Sequence, residues 1–221
     1  KEKGLDVNLD RLFGEIREGN ERVVRARLSD AKFFFNEDLK KPLGNLRATL
    51  NRTKFHEKLG SIGDKVTRIE SLTRHIGKII NLSAHQARDT ETIATLAKCD
   101  LATHMVGEFG VLQGIMGRYY ALHDGEDKVV ADAIEAHYHP RFAGDTLPQG
   151  AIACAVALAD KLDTLLGIYG IGQVPTGEKD PFGLRRHALG ILRILIETPL
   201  DLPLPALIKI AAGNFPADML S

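Results

Sequence analysis

The sequence predicts an all-α protein. Apolar residues recur at three- and four-residue steps along most of the chain, alternating strand patterns are nearly absent, and Gly/Pro clusters fall between the periodic stretches. The first stretch, Gly19–Leu39, is rich in strong helix formers and has no internal Pro. Val23, Val24, Ala31, Phe34 and Phe35 stand among its charges, and Pro42 and Gly44 interrupt it. From Asp64 to Leu82, the set Val66, Ile69, Leu72, Ile76, Ile79 and Ile80 marks one face of an amphipathic helix. Asp89–Val106 continues in the same way, with Asp89 or Thr90 as N-cap, and Asp127–His139 is a shorter helix stopped by Pro140. Gly150–Ile168 is almost wholly apolar until Asp160, which predicts a central helix buried on most sides. A Gly/Pro-rich loop over Gly170–Gly183 overlaps the start of a last long helix, expected from about Pro181 to Glu197. Pro199, Pro203 and Pro205 break up the tail.

With 221 residues and 44% apolar content the chain is long enough for one sizeable core, so general disorder is excluded. No uninterrupted run of ~20 apolar residues offers a transmembrane helix. Lys+Arg and Asp+Glu both number 29, so no global charge points to a polyanionic partner, but the distribution is uneven. Residues 1–60 carry 14 Lys/Arg against 10 Asp/Glu, and the remainder carries 15 against 19. This division suggests a basic helical arm or linker over residues 1–59, a compact helical domain over 60–198 and a connecting segment over 199–221. Cys99 and Cys154 have neither disulfide-framework nor zinc-ligand spacing; as buried thiols they suit a reducing, cytoplasmic compartment. The chain opens on Lys1 within a charged segment and is expected to be a piece of a longer polypeptide.

Candidate chemistry collects in two places. Asp180-Pro181 reads as an N-cap followed by Pro at the first helical position, which puts Arg185 and Arg186 near the positive end of the helix dipole. Cations are disfavoured there by ~0.3–1 kcal/mol unless an anion shares the site. With Lys179 upstream and several glycines in the approach loop, the arrangement suits a phosphate, unless a carboxylate such as Asp180 or Glu178 pairs with the arginines. Gly172 and Gly177 imitate a P-loop, but Glu178-Lys179-Asp180 follows where Lys-Ser/Thr is required. The second place is a pair of acids, Asp100 and Asp160, on apolar helical segments. Burial there demands a metal, with His137 or His139 as further ligands, or a neutralising arginine such as Arg118, Arg141 or Arg186. The run His75-Ile76-Gly77-Lys78 imitates a nucleotide-binding signature inside an amphipathic helix and is read as chance; nothing assembles an ATP site.

Four blocks, Glu18–Phe34, Phe55–Ile69, Lys98–Ala121 and Ala159–Leu195, resemble the β subunit of bacterial tetrameric glycyl-tRNA synthetase, in the family's order and over most of the chain. The resemblance implies the middle of that subunit, without its earlier β-containing region or its C-terminal anticodon-binding domain. It also implies an HD-phosphohydrolase-like helical domain preceded by the arm. In that family the α subunit uses ATP and Mg to form glycyl-adenylate, while β grips tRNA(Gly) within an α2β2 assembly. This chain is thus expected to bind no cofactor or metal and to carry no catalytic residue of its own. Its partners would be the α subunit, tRNA(Gly) and a second β subunit, and neither membrane nor DNA. The RNA-binding candidates are Arg185, Arg186 and Lys179, with Arg22, Arg25 and Arg27 on the arm. HD enzymes place a His-Asp pair where this chain has Cys99-Asp100; Asp160 matches their closing aspartate, and His137 and His139 resemble the intervening histidines. With the pair's histidine replaced, Cys99, Asp100, His137, His139 and Asp160 should form a degenerate pocket. The alternatives are a metal-dependent phosphohydrolase and a pure assembly module for α.

Overall fold

The computed structural model describes residues 9–219, which fall into two compact units divided at Lys40–Lys41. The first is a single helix, α1 (Leu9–Asp38), whose 30 residues span about 45 Å at 1.5 Å per residue. Ion pairs Arg11–Glu15 and Arg17–Glu21 run along it at helical i,i+4 spacing. Phe13, Ile16, Val24 and Leu28 are exposed together on one side of it.

The second unit opens with a 3-10 run (Leu43–Arg52) that buries Leu43 and Leu50, and with a short antiparallel hairpin, β1 (Lys54–His56) and β2 (Gly60–Ser61). Helix α2 (Ile62–Ile79) starts on a capping box, in which the Ser61 hydroxyl accepts from the Asp64 N–H and the Asp64 carboxylate accepts from the Ser61 N–H. Then follow α3 (Ala84–Leu96), α4 (His104–Glu108), α5 (Ile115–His123), α6 (Lys128–Ala136), α7 (Gly150–Gly170), α8 (Leu184–Glu197) and α9 (Leu204–Ala212). Helix α7 is the axle. It packs against α2, α3, α6, α8 and α9, and buries an unbroken run from Ile152 to Thr164. Ile69, Leu72, Ile76, Ile93, Ile134, Leu158, Leu162 and Ile191 close the core around it. A smaller apolar cluster of Leu59, Ile168, Leu184 and Phe215 seals one end.

The all-α class holds, with that hairpin as the one sheet among the described residues. Several boundaries moved. The stretch expected as one helix over Asp89–Val106 is three pieces: α3 starts earlier on a Ser83–Gln86 capping box, a 3-10 turn spans Cys99–Ala102, and α4 follows. The physical cause is Thr103, whose hydroxyl caps α4 by accepting from the Val106 N–H while donating to Asp100 O at 2.6 Å. Helix α8 begins at Leu184 rather than Pro181, because Gly183 takes a left-handed conformation (φ 64°) and turns the chain just before it. By packing, the compact units divide at Lys40–Lys41, and α9 buries Leu207 and Ala211 within the second of them. Among the described residues no helix is long and apolar enough to cross a membrane.

Candidate RNA-binding groove and the buried carboxylate cluster

The two acids expected on apolar helices are both buried, and the cations that meet Asp160 were not among those anticipated. Lys65 on α2 and Lys98, after α3, converge on Asp160 of α7, with Lys65 Nζ 3.0 Å from Oδ1 and Lys98 Nζ 2.7 Å from Oδ2. Lys65 also reaches Asp163 Oδ2 (3.1 Å) and donates to Thr164 Oγ1 (2.6 Å); Arg68 donates to Asp163 Oδ1 at 2.6 Å. Lys98 Nζ lies 3.9 Å above the Tyr138 ring. Burial alone would raise the Asp160 carboxyl, but Lys65 and Lys98 outweigh it and hold it well below the usual carboxylate range. Burial likewise works against Lys65, where Asp160 and Asp163 prevail and raise it; for Lys98, burial prevails and lowers it.

Asp100 turns elsewhere. Its Oδ2 accepts from the Gly114 N–H at 2.5 Å, and burial raises its pKa. His137 Nδ1 donates to Ile134 O at 2.5 Å, a tautomer assigned from its carbonyl partner, and burial holds the ring neutral. Cys99 Sγ points to Thr95 O (3.4 Å), and burial pushes its thiol up to about 12. His139 pairs with Thr146 Oγ1 (2.8 Å) in a separate groove beside Arg118 and the first turn of α7. The five residues expected to share a pocket therefore divide: His137 and Asp160 belong to the lysine cluster, Asp100 lies next to it, and Cys99 and His139 face away. Among the described residues no three His, Cys, Asp or Glu side chains come together as a cation cage. A divalent ion at Asp160 would compete with two ammonium groups, so the donor set does not fit the metal of an HD hydrolase. Arg118, Arg141 and Arg186 do not neutralise these acids either. Arg118 pairs with Asp132, Arg141 donates to Gln113 O, and Arg186 is exposed.

At the surface the arrangement reverses. Arg185 and Arg186 project from the first turn of α8, exposed, into a groove of about 530 Å³ that Phe142, Leu189 and Arg193 also line. The helix terminus itself is taken, since the Asp180 carboxylate accepts from the Leu184 N–H (2.8 Å) and the Arg185 N–H (3.0 Å). Asp180 thus caps α8 from outside the helix, and the arginine side chains, not the backbone amides, are what the groove offers an anion. Arg193 is committed to Glu197, in a two-point pair, and to Asp145 O. Lys179 is exposed on a tight turn, exchanging backbone hydrogen bonds with Thr176, and does not line this groove. On α1, Arg22, Arg25 and Arg27 are all exposed; Arg22 and Arg25 share a face by their spacing, and Arg25 borders the apolar side.

Sequence reasoning missed Lys65, Lys98, Arg68, Asp163 and Phe142. Lys65 carried a readable signal: it stands four residues before Ile69 and seven before Leu72, on the buried stripe where a lysine must meet an acid. Phe142 carried none, because a lone aromatic in a loop has no period.

The profile of the family described as glycyl-tRNA synthetase beta subunit matches residues 8–220. The chain belongs to that family. The glycine–tRNA ligase beta subunit of Aromatoleum aromaticum is 60% identical over 203 residues, 92% of this chain and 29% of the relative. The namesake from Dechloromonas aromatica is 56% identical over 197 residues (89% and 28%), and that of Neisseria meningitidis serogroup B 52% over 206 residues (93% and 29%). The chain spans less than a third of the length of these glycine–tRNA ligase beta subunits.

Proposed function

We propose that this chain is the tRNA-gripping and scaffolding part of a cytoplasmic glycine–tRNA ligase β subunit. It supports ATP-dependent attachment of glycine to tRNA(Gly) in an α2β2 enzyme whose α subunit holds ATP and Mg. The helical unit is read as HD-like on the family resemblance, with its ancestral pocket filled by lysines. One observation carries the RNA reading: Arg185 and Arg186 are exposed side by side in a groove where one carboxylate, Asp180, already bound to two backbone N–H groups, faces two guanidinium charges. Guanidinium groups placed so are suited to phosphate.

The scaffolding half rests on α1, whose apolar residues Phe13, Ile16, Val24 and Leu28 lie exposed on one side of a long helix. Burying such a face against the α subunit or a second β would give the arm its stability.

The test is tRNA(Gly) binding by the complete ligase across a salt series. Arg185→Ala with Arg186→Ala should lower the magnitude of the log–log salt slope by about 2, roughly one per phosphate contact, and leave the far-UV helical signal intact. Unchanged affinity and slope would overturn the assignment.

A further inference from the structure

We infer that the groove at the start of α8 takes an unpaired nucleotide, with its base stacked on Phe142 and its flanking phosphates on Arg185 and Arg186. The inference rests on the RNA-binding reading above and sharpens it from polyanion in general to single-stranded RNA. Phe142 is 62% exposed, a large apolar ring held out from the domain surface. Its loop is firmly braced. The Asp145 N–H donates to Phe142 O at 3.2 Å across a turn whose third residue, Gly144, has φ 83°, a conformation suited to glycine. The Asp145 carboxylate accepts from the N–H groups of Arg141 (2.6 Å) and Thr146 (2.8 Å), and Arg193 donates to Asp145 O at 3.0 Å, tying the turn to α8. The ring is therefore displayed on a fixed support, opposite Leu189 (61% exposed), with the two arginines completing the same groove.

A flat apolar face beside two guanidinium groups that outnumber the carboxylate of the groove, Asp180, has two complementary halves, and an unpaired nucleotide presents both: a base with an open π-face and a charged phosphate. A duplex stacks its bases internally and offers only its backbone, so it would engage the arginines and leave Phe142 idle. A protein segment docked on the apolar half would leave the arginines without a matching anion, which makes it the less complementary occupant.

The experiment uses the complete ligase with two probes of equal phosphate count, a short unstructured RNA and a blunt-ended, loop-free RNA duplex. Phe142→Ala and Phe142→Leu should each weaken the unstructured RNA by roughly 5- to 100-fold, the range for losing one stacked base, and leave the duplex unchanged. Phe142→Tyr should bind like the parent. Leucine retains apolar area without a flat ring, so parental binding by Phe142→Leu would overturn stacking in favour of simple apolar contact. Equal losses on both probes, or none on either, would also overturn it. The arginine pair separates the two levels of the argument: if Arg185→Ala with Arg186→Ala leaves both probes unaffected, the RNA reading itself falls. If that variant weakens both while Phe142→Ala is silent, only the stacked nucleotide is lost.

Discussion

Two groups of cations in the compact unit have opposite circumstances. Lys65, Lys98 and Arg68 are drawn inward, where Asp160 and Asp163 meet them at 2.6 to 3.1 Å. Arg185 and Arg186 stand outside on α8, exposed beside Phe142. The difference teaches that charge signals function only when it is left over. A lysine that has an internal partner is part of the fold, whereas an arginine without one remains available to a ligand. Composition cannot separate the two classes; geometry does.

The sharpest way to break the contrast is to remove the internal acid. Asp160→Ala strands the buried Lys98 ammonium and leaves Lys65 with Asp163 alone, and the expected loss is about 3–5 kcal/mol in denaturant unfolding. A loss below ~1 kcal/mol would mean that the lysines swing out to water and the cluster is not structural.

Next in size is a pH effect. Burial lowers the His187 pKa to about 4 from an ordinary 6.5. Between those values the unfolded chain binds a proton that the folded chain refuses. Stability contributed by the neutral ring is therefore complete above pH 6.5 and declines as pH falls towards 4, by up to about 3 kcal/mol. His137 is shifted in the same direction by its burial. His187→Gln should flatten that limb of the stability curve in thermal or denaturant unfolding; a variant whose curve parallels the parent would show that His187 is hydrated.

The smallest effect on folding belongs to the surface pair. Arg185→Ala with Arg186→Ala should shift unfolding by no more than about 0.5 kcal/mol, since each side chain is exposed and their shared charge interaction with Asp180 is screened by water. A larger change would place these arginines in the structural class, against the division drawn here.

How much of this was legible beforehand depends on period. Helices α2 and α7 could be read because their apolar residues recur at helical spacing or fill every turn, and α7 indeed forms the centre. The break within Asp89–Val106 was hidden, since its apolar rhythm continues through the 3-10 turn and only the Thr103 cap marks the interruption. Within the site, the adjacent Arg185 and Arg186 were visible as a pair. Their groove was not: Phe142 lies more than forty residues earlier, and its approach depends on the Asp145–Arg193 contact across α8. The acids at 100 and 160 were visible as costly groups, but Asp100 is met by the Gly114 N–H and Asp160 by lysines 62 and 95 residues distant, pairings that no local pattern encodes.

The lysines at Asp160 have one consequence that a bound ion would not share. They are tethered to the polymer, so dilution, chelators and swings in the supply of dissolved ions cannot strip them away. The centre of the domain assembles whenever the chain does, and at no concentration of any small partner does it come up short.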